Sequence, residues 1–396
     1  MNASGNTEHR AGTDGTNAGV HRFGLLEQLV YGRPFEQVIV EECERRAHQR
    51  VAIFTTRSIA SSLAARLQRV LGARHAVTFS GLPAHTPVTA VLAAAAAARQ
   101  CDVDLIVALG GGSVIDAAKV ALLSLWTDAT TPSQLAAAQA APASAWQVSA
   151  DSLRMIAVPT TLSGAEFTHM AGMSNEQGRK ERFMHPLMVP RMVVLDPNAG
   201  LQTPSALWLS TGMRAVDHAI ETVCSSSCDA LSETAALRGL VLLCEGLQRV
   251  AHRPDDAGAR LQCQLGMWMA CIGPAAGVPM GVSHGIGHIL GAEYGLPHGI
   301  TSCVMMASAM TWNRSAVMAR QQLLELHLEL PGATAAEKID QLLQRLGLPR
   351  RLSDVGIREE AFTHIAERSM TDFFIPTNPR PIRAAGDIVD ILRLAA

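Results

Sequence analysis

The segment DLIVALGGGSVIDAAK, residues 104–119, contains the change of pattern that decides the fold. Its first six residues form a nearly continuous apolar run, which is typical of a strand buried on both faces. Three glycines and a serine follow, and VIDAAK then begins a helical pattern. A strand, a glycine-rich turn and a helix in this order predict one βα unit of a parallel sheet.

The same alternation of short apolar runs and helical patterns fills the first half of the chain. Strands are predicted at residues 50–56, 75–79, 155–158 and 192–195, and helices at 34–48, 58–71 and 87–99. Residues 127–150, rich in Ala, Thr, Ser and Pro, are interpreted as a loop-like excursion from the sheet.

From about Thr203 the strand pattern disappears, and helical spacing dominates to the C-terminus. We therefore predict a Rossmann-like α/β domain with a parallel sheet at residues 21–200, followed by an all-α domain at residues 201–396. Residues 1–20 lack an apolar core and are expected to be a disordered tail, neither a signal peptide nor an anchor.

Composition excludes several classes of protein. The formal net charge is −2 and 17% of the residues are charged, which does not indicate a nucleic-acid-binding surface. No apolar run reaches the ~18 residues of a membrane span. The eight cysteines include no C-x2-C pair, so we expect reduced, mostly buried thiols in a cytoplasmic protein.

The turn formed by Gly110, Gly111, Gly112 and Ser113 is a candidate phosphate site. Glycines between a strand and a helix leave backbone N–H groups bare at a helix N-terminus, where the dipole favours anions. The pattern is neither G-x-G-x-x-G nor a Walker A loop, and its alternative is a tight structural turn.

The segment GVSHGIGHILGAEYGLPHG, residues 281–299, brings three histidines within fifteen residues. His284 and His288 are spaced i, i+4 and therefore share a helix face. His298 follows a Gly-Leu-Pro break, where a turn can return its imidazole to the same place. Glycine at this density predicts that something approaches the backbone closely, and the alternative is a glycine-rich helix with surface histidines.

Two further segments carry polar side chains toward a site. Thr160 and Thr161 follow the strand at 155–158 and offer hydroxyls to a ligand, unless they form an ordinary turn. A helix predicted at residues 210–223 places Arg214 and His218 on one face, whereas Asp217 lies ~100° from His218 and is expected to face elsewhere.

The order of these motifs resembles the iron-dependent alcohol dehydrogenase superfamily, and within it the maleylacetate reductases, from about Phe23 to the C-terminus. GGGSVIDAAK is similar to the pyrophosphate loop of that family, and PTTLSGAEFT is similar to its nicotinamide-side loop in the shorter form of the reductases. SHGIGHILGAEYGLPHG is similar to the active-site helix and turn, and NPRP at residues 378–381 to a C-terminal motif. The resemblance implies a hydride-transferring enzyme with NADH or NADPH in the cleft between the two domains.

The resemblance and the end of the strand at 50–56 together assign the cofactor contacts. These are Gly110, Gly111, Gly112, Ser113, Asp116, Thr160, Thr161, Leu162, Lys180 and Thr56. No acidic residue ends that strand, and Arg57 follows Thr56, so NADPH is expected to be accepted as well as NADH.

The resemblance also implies a metal site, from which this sequence departs. Metal-dependent members hold Fe²⁺ or Zn²⁺ with an aspartate and three histidines, which correspond here to His218, His284 and His298, with His288 beside the nicotinamide. The aspartate position is Arg214, and a guanidinium offers no lone pair. At ~4 Å it would repel a divalent ion by several kcal/mol even at an effective dielectric constant of about 20. A metal-free site is therefore expected, with Arg214 and the four histidines as catalytic residues.

The function expected on this basis is reduction of the activated double bond of maleylacetate, or of a related carboxylated enone, to give 3-oxoadipate. Arg214 would bind a carboxylate, unless it forms a salt bridge with Asp217 or Glu221. One alternative is an iron- or zinc-dependent alcohol dehydrogenase for a small alcohol or aldehyde, which the Gly-Ile-Thr-Ser sequence at 299–302 favours. Another is a catalytically silent nucleotide-binding protein. The expected partners are a small carboxylate substrate and a second copy of the chain, with no nucleic acid and no membrane.

Overall fold

The computed structural model of the chain describes residues 21, 23–83, 86–141, 146, 148, 149, 151–176 and 180–396. The disordered tail predicted for residues 1–20 lies outside them. Six strands form one parallel sheet in the order β1-β8-β5-β4-β2-β3, and β6 and β7 form a separate antiparallel hairpin. The strands are β1 (Gln28–Tyr31), β2 (Val51–Phe54), β3 (His75–Phe79), β4 (Leu105–Gly110), β5 (Met155–Pro159), β6 (Met170–Ser174), β7 (Lys180–Met184) and β8 (Met192–Leu195).

Helices surround the sheet and then form the whole of the second half. Those of the first half are α1 (Phe35–Arg46), α2 (Arg57–Ile59), α3 (Ala65–Leu71), α4 (Val88–Gln100), α5 (Gly112–Trp126) and α6 (Pro132–Ala140). Those of the second half are α7 (Pro197–Gly200), α8 (Ser205–Cys224), α9 (Ala230–His252), α10 (Ala257–Ala270), α11 (Ile272–Ala276), α12 (Val282–Tyr294), α13 (His298–His327), α14 (Ala335–Arg345), α15 (Phe362–Ser369) and α16 (Ala385–Leu394).

The four inner strands of the sheet, β2, β4, β5 and β8, are buried on both faces, as their continuous apolar patterns predict. Val51 and Ile53 of β2 belong to the core on the side of α1 and α3, whereas Ala52 and Phe54 belong to the core on the side of α4 and α5. Successive side chains of a strand point to opposite faces, so both faces must be covered by helices. The predicted fold class is confirmed.

Three strands and one helix differ from the sequence prediction. The edge strand β1 was not predicted, because it is short and only partly buried. The β6–β7 hairpin was not predicted either. Helix α6 lies within residues 127–150, which were interpreted as a loop. There the Thr131 hydroxyl accepts a hydrogen bond from the Gln134 N–H, and the Gln134 side-chain oxygen accepts one from the Thr131 N–H, which together form a capping box. That signature, Thr-Pro-Ser-Gln, is present in the sequence.

The topology fixes where a ligand can bind. The chain passes from β2 outward to β3 and then returns to the other side of β2 as β4, so the direction of winding reverses between β2 and β4. Parallel α/β sheets bind ligands outside the carboxyl ends of the strands at such a reversal. Within the described residues, no helix combines the length and apolar character needed to cross a membrane.

Candidate active site

The glycine-rich turn lies at the carboxyl edge of the sheet. Gly110 ends β4 opposite Pro159 of β5, and α5 begins at Gly112 with Gly111 as its N-terminal cap. No described side chain caps this helix end. Its first backbone N–H groups and the positive end of its dipole therefore remain available to a phosphate group.

The glycines also allow two loops to approach each other. A Cβ atom on Gly111 would lie 3.0 Å from Thr161 Cγ2, and one on Gly112 would lie 2.8 Å from Ser163 Oγ. The predicted phosphate turn and the Thr-Thr loop after β5 are therefore packed face to face. Any larger residue at position 112 would push them apart.

The other predicted cofactor residues lie around this junction. Thr56 follows β2, the neighbour of β4, and its hydroxyl is 2.8 Å from that of Ser58. The Asp116 Oδ2 accepts from the Gly172 N–H at 3.1 Å, which ties α5 to the β6–β7 hairpin. The predicted residue Ser113 has its carbonyl held by the Thr86 hydroxyl at 3.0 Å.

Within the loop after β5, each predicted residue has a separate environment. The Thr160 N–H donates to the Gly110 carbonyl, and the Leu162 N–H donates to the hydroxyl of Thr211 on α8. The Thr161 Oγ1 is buried and makes no hydrogen bond within the described part of the chain. Lys180 begins β7, and its side chain lies outside the described structure.

A buried lysine beneath these loops was not anticipated from the sequence. Lys119 Nζ donates to the carbonyls of Ala165, Thr168 and Met170 at 2.5–2.8 Å, which ties α5 to the end of the Thr-Thr loop. Burial lowers the pKa of Lys119 to about 8. Glu166 is also fully buried, and burial raises its pKa to about 7.

The four predicted histidines come from three helices of the second half. His218 lies on α8, His284 and His288 lie on α12, and His298 is the first residue of α13. The ring centroids of His218 and His284 are 4.9 Å apart, and those of His288 and His298 are 6.0 Å apart. The sequence therefore predicted correctly that the Gly-Leu-Pro break returns the third imidazole to the helix carrying the other two.

The glycines of α12 allow close approach by neighbouring protein atoms. A Cβ atom on Gly285 would lie 2.8 Å from Ile375 Cδ1, and one on Gly287 would lie 3.0 Å from Thr301 Oγ1. The prediction that something approaches this backbone is confirmed, and the approaching groups are side chains of α13 and of the C-terminal segment.

Arg214 lies next to these imidazoles. Its Nη1 donates to Ser302 Oγ at 3.2 Å and lies 4.0 Å from the Cβ position of Gly287 on α12. Burial, together with the charge of Arg214, holds the pKa of His218 and of His284 well below the usual range. Both imidazoles are therefore neutral, each with one N–H donor.

Asp217 corrects one prediction. This residue was expected to face away from the site, but its side chain is fully buried within it. The Asp217 carboxylate accepts hydrogen bonds from the hydroxyls of Ser283 and Ser302 at 2.8 and 2.7 Å. Positions 214, 217, 218 and 221 are spaced i, i+3, i+4 and i+7, so all four share one ~100° stripe of α8. That spacing was the available signal.

Glu221 is the second carboxylate that the sequence interpretation did not place in the site. It accepts from the N–H groups of Gly281 and Ser283 at 2.8 and 3.0 Å, so it caps α12 from outside that helix. His284 Nδ1 lies 2.7 Å from Glu221 Oε2, although the angle is not that of a hydrogen bond. Burial, followed by the repulsion of Glu221, raises the pKa of Asp217, and burial raises the pKa of Glu221.

Family models match both halves of the chain. The model of iron-containing alcohol dehydrogenase matches residues 27–197, and that of the Fe-containing alcohol dehydrogenase family, C-terminal, matches residues 208–396. The chain belongs to the iron-containing alcohol dehydrogenase family. It is therefore an oxidoreductase, and its family is that of NAD(P)-dependent dehydrogenases and reductases.

Individual relatives in the iron-containing alcohol dehydrogenase family cover nearly the whole chain. Dehydrogenase FUM7 of Gibberella moniliformis is 33% identical over 93% of this chain and 96% of that protein. Maleylacetate reductase 1 of Cupriavidus pinatubonensis is 27% identical over 91% of this chain and 92% of that protein. The crystal structure of maleylacetate reductase from Agrobacterium tumefaciens has a TM-score of 0.82 at 27% identity, covering 96% of this chain and 98% of that one.

The residues present fit a dinucleotide of this family. An uncapped helix N-terminus, a turn with no room for side chains and a facing loop with hydroxyl groups provide donors for a pyrophosphate. Residues 110–113 and 160–162 would hold it.

The residues present do not fit the metal site of this family. Arg214 replaces the acidic ligand, and its positive charge lies close to His218 and His284. In the described part of the chain, the ligand atoms that come within 4.8 Å of one another belong to Asp217, Glu221 and His284, which is a different set. Their carboxylates already accept hydrogen bonds from Ser283, Ser302 and the start of α12.

Proposed function

We propose that this member of the iron-containing alcohol dehydrogenase family is a metal-independent NAD(P)H-dependent reductase of the maleylacetate reductase type. Its substrate would be maleylacetate, reduced to 3-oxoadipate, or a related carboxylated enone. The observation that carries the proposal is the position of Arg214, whose guanidinium stands among neutral imidazoles where the family has an acidic metal ligand. A fixed cation in a half-buried site favours an anionic substrate.

The charges around Arg214 support a role toward a ligand. No ion pair within 4 Å links Arg214 to Asp217 or Glu221 in the described structure, because Ser302 stands between Arg214 and Asp217. The guanidinium retains donors beyond Nη1, and Arg214 is only partly buried, unlike Asp217. These donors match a carboxylate or an enolate oxygen.

NAD(P)H supplies a hydride when it is bound. The chain's residues would then hold the negative charge that develops on the substrate oxygen. Arg214 donates charged hydrogen bonds to it, and the neutral imidazoles of His218 and His284 add N–H donors. His298 lines the same site. His288 gives a proton to the substrate carbon that becomes carbanionic, and it regains that proton from solvent. Partial burial of these side chains between α8 and α12 lowers the local dielectric constant, which strengthens each of these interactions.

The test measures loss of NAD(P)H absorbance on addition of maleylacetate, with the product identified by mass spectrometry. The same protein is assayed before and after dialysis against EDTA, and its bound metals are quantified. We expect turnover that EDTA does not change and metal content far below one ion per chain. Activity that disappears with EDTA and returns with Fe²⁺ or Zn²⁺ would show the alternative, a metal-dependent alcohol dehydrogenase. The expected homodimer and the lack of a nucleic-acid partner stay predictions.

A further inference from the structure

The C-terminal segment, residues 370–381, is fastened to the start of α12. The Thr377 hydroxyl donates to the Met280 carbonyl at 2.8 Å, and the Asn378 Oδ1 accepts from the Val282 N–H at 3.1 Å. Asn378 is buried and exchanges two side-chain hydrogen bonds with Asn313, at 2.8 and 3.0 Å. The Asn-Pro-Arg-Pro motif therefore anchors this segment beside the histidine helix.

The anchored segment brings an aspartate to His288. The His288 Nδ1 lies 2.8 Å from Asp372 Oδ2, at hydrogen-bond geometry. The other carboxylate oxygen of Asp372 accepts from the Phe374 N–H at 2.9 Å, so the carboxylate cannot rotate freely. The Asp372 side chain is 9% exposed and that of His288 is 28% exposed, so the carboxylate is shielded from solvent and the imidazole is accessible.

The same segment also fixes the plane of the imidazole. The rings of Phe373 and Phe374 lie 5.7 and 5.6 Å from the His288 ring, inclined by 34° and 31°. The His298 ring meets it edge-on at 78°. These ring contacts and the hydrogen bond at Nδ1 together restrict the orientation of the imidazole.

We propose that Asp372 is a positioning residue that keeps the proton of His288 on Nδ1 and thereby makes Nε2 the nitrogen that exchanges a proton with the substrate. A carboxylate only accepts hydrogen bonds, so the Nδ1 facing it must carry hydrogen. In the reduction the acid is the doubly protonated ring: its Nε2–H bond breaks as the substrate C–H bond forms, and the ring is left neutral with its remaining hydrogen on Nδ1, hydrogen-bonded to Asp372. Solvent then reprotonates Nε2. This role rests on the proposed function of His288.

Asp372 resembles, in its geometry alone, a carboxylate that orients a catalytic histidine and selects its tautomer. The charged and titratable groups around His288 are His284 on its own helix, His298 at the start of α13, Asp372, and Arg182, which lies over the Phe373 ring at 4.2 Å. Of these groups, Asp372 makes a hydrogen bond to His288.

The test compares Asp372→Asn and Asp372→Glu with the parent protein. Asparagine keeps the size but offers an amide that can also donate, so the tautomer is no longer imposed; glutamate keeps the charge. Nitrogen NMR of protein labelled in histidine, with the His288 signal assigned by its loss in His288→Gln, reports the tautomer without any substrate. For the neutral ring, we expect the Nδ1–H form in the parent, a mixture in Asp372→Asn, and the Nδ1–H form again in Asp372→Glu.

Kinetics provide the second readout. We expect kcat to fall about 100-fold in Asp372→Asn with an unchanged KM for NAD(P)H, and to recover partly in Asp372→Glu. The matched control is Asp390→Asn, a surface change on α16, which should alter nothing. An unchanged tautomer in Asp372→Asn, or an unchanged kcat, would overturn the proposal. A protein that shows the expected tautomers but does not reduce maleylacetate would contradict the proposed function and leave the role of Asp372 in orienting His288 intact.

Discussion

Ser302 stands between Arg214 and Asp217: Arg214 Nη1 donates to its hydroxyl at 3.2 Å, and the hydroxyl donates to Asp217 Oδ2 at 2.7 Å. Arg214 and Asp217 are one turn apart on α8, yet a neutral side chain from α13 separates their charges. A direct ion pair would commit the guanidinium to its own helix. The intervening hydroxyl joins the guanidinium to the buried Asp217 carboxyl through hydrogen bonds while Arg214 can still bind a ligand.

The first prediction concerns Arg214. Arg214→Gln should raise KM for a carboxylate substrate by about 10–100-fold, because a hydrogen bond to a charged group contributes ~1.5–3 kcal/mol. KM for a neutral aldehyde should change little. Steady-state kinetics with both substrates provide the measurement, with Arg214→Lys as the variant that keeps the charge and loses the planar fork. Equal losses for both substrates would show that Arg214 is structural.

The second prediction concerns the junction of the two loops. Gly112→Ala should raise KM for NAD(P)H by roughly 10-fold or more, because the added methyl group would lie 2.8 Å from Ser163 Oγ and 3.2 Å from Ser163 Cβ and would crowd the facing loop. Fluorescence titration with the reduced cofactor measures the same effect as a Kd. The control is Gly386→Ala on α16, where an added Cβ meets nothing within 4 Å. Unchanged cofactor binding in Gly112→Ala would contradict the assignment of this turn as the binding site of the cofactor phosphates.

The third prediction concerns cofactor choice. Arg57 is exposed at the start of α2, directly after Thr56, and no carboxylate ends β2. Arg57→Ala should raise KM for NADPH by several-fold and leave KM for NADH nearly unchanged, because only NADPH carries a 2′-phosphate. Strict use of NADH by the parent protein would contradict this prediction.

The fourth prediction concerns the effect of pH on stability. Because the pKa of Glu166 is raised from 4.5 to about 7, the folded protein holds this proton more tightly than the unfolded chain does. The contribution of this protonated carboxyl to the free energy of unfolding is complete below about pH 4.5 and is lost as the pH rises through 7. Glu166→Gln should therefore gain ~1–3 kcal/mol in free energy of unfolding, relative to the parent, between pH 5 and pH 8.

Thermal or chemical unfolding of both proteins across this range measures that difference. The control is Glu359→Gln, an exposed glutamate paired with Arg393 on the surface, for which the two pH profiles should run parallel. Parallel profiles for Glu166→Gln and the parent would show that the pKa of Glu166 is not raised in the folded protein, and would contradict the prediction.

Much of the fold follows from local pattern, because a strand buried on both faces and a glycine turn leave few arrangements. Helix α6 is not evident from the composition of residues 127–150, which is typical of a loop, although Thr131 and Gln134 carry a capping signature. Strand β1 has no such signature. Its four partly exposed residues form a strand by pairing in parallel with β8, a contact that local sequence does not show.

In the site, spacing located the histidines and Arg214, and the error at Asp217 came from comparing it with its neighbour His218. Measured from Arg214, Asp217 is three residues along and therefore on the same stripe of the helix. Asp372 could not be found in this way. It is 84 residues from His288, and the two meet because Thr377 and Asn378 anchor the C-terminal segment at the start of α12.

Arg182 of the β6–β7 hairpin rests on the ring of Phe373, so one cation–π contact joins the α/β half to the segment that carries Asp372. At an exposed site such a contact is worth about 0.5–1 kcal/mol, which is close to thermal energy. This contact is weak beside the hydrogen bonds that Thr377 and Asn378 make to the start of α12, so the hairpin is held to residues 370–381 less firmly than those residues are held to the histidine helix.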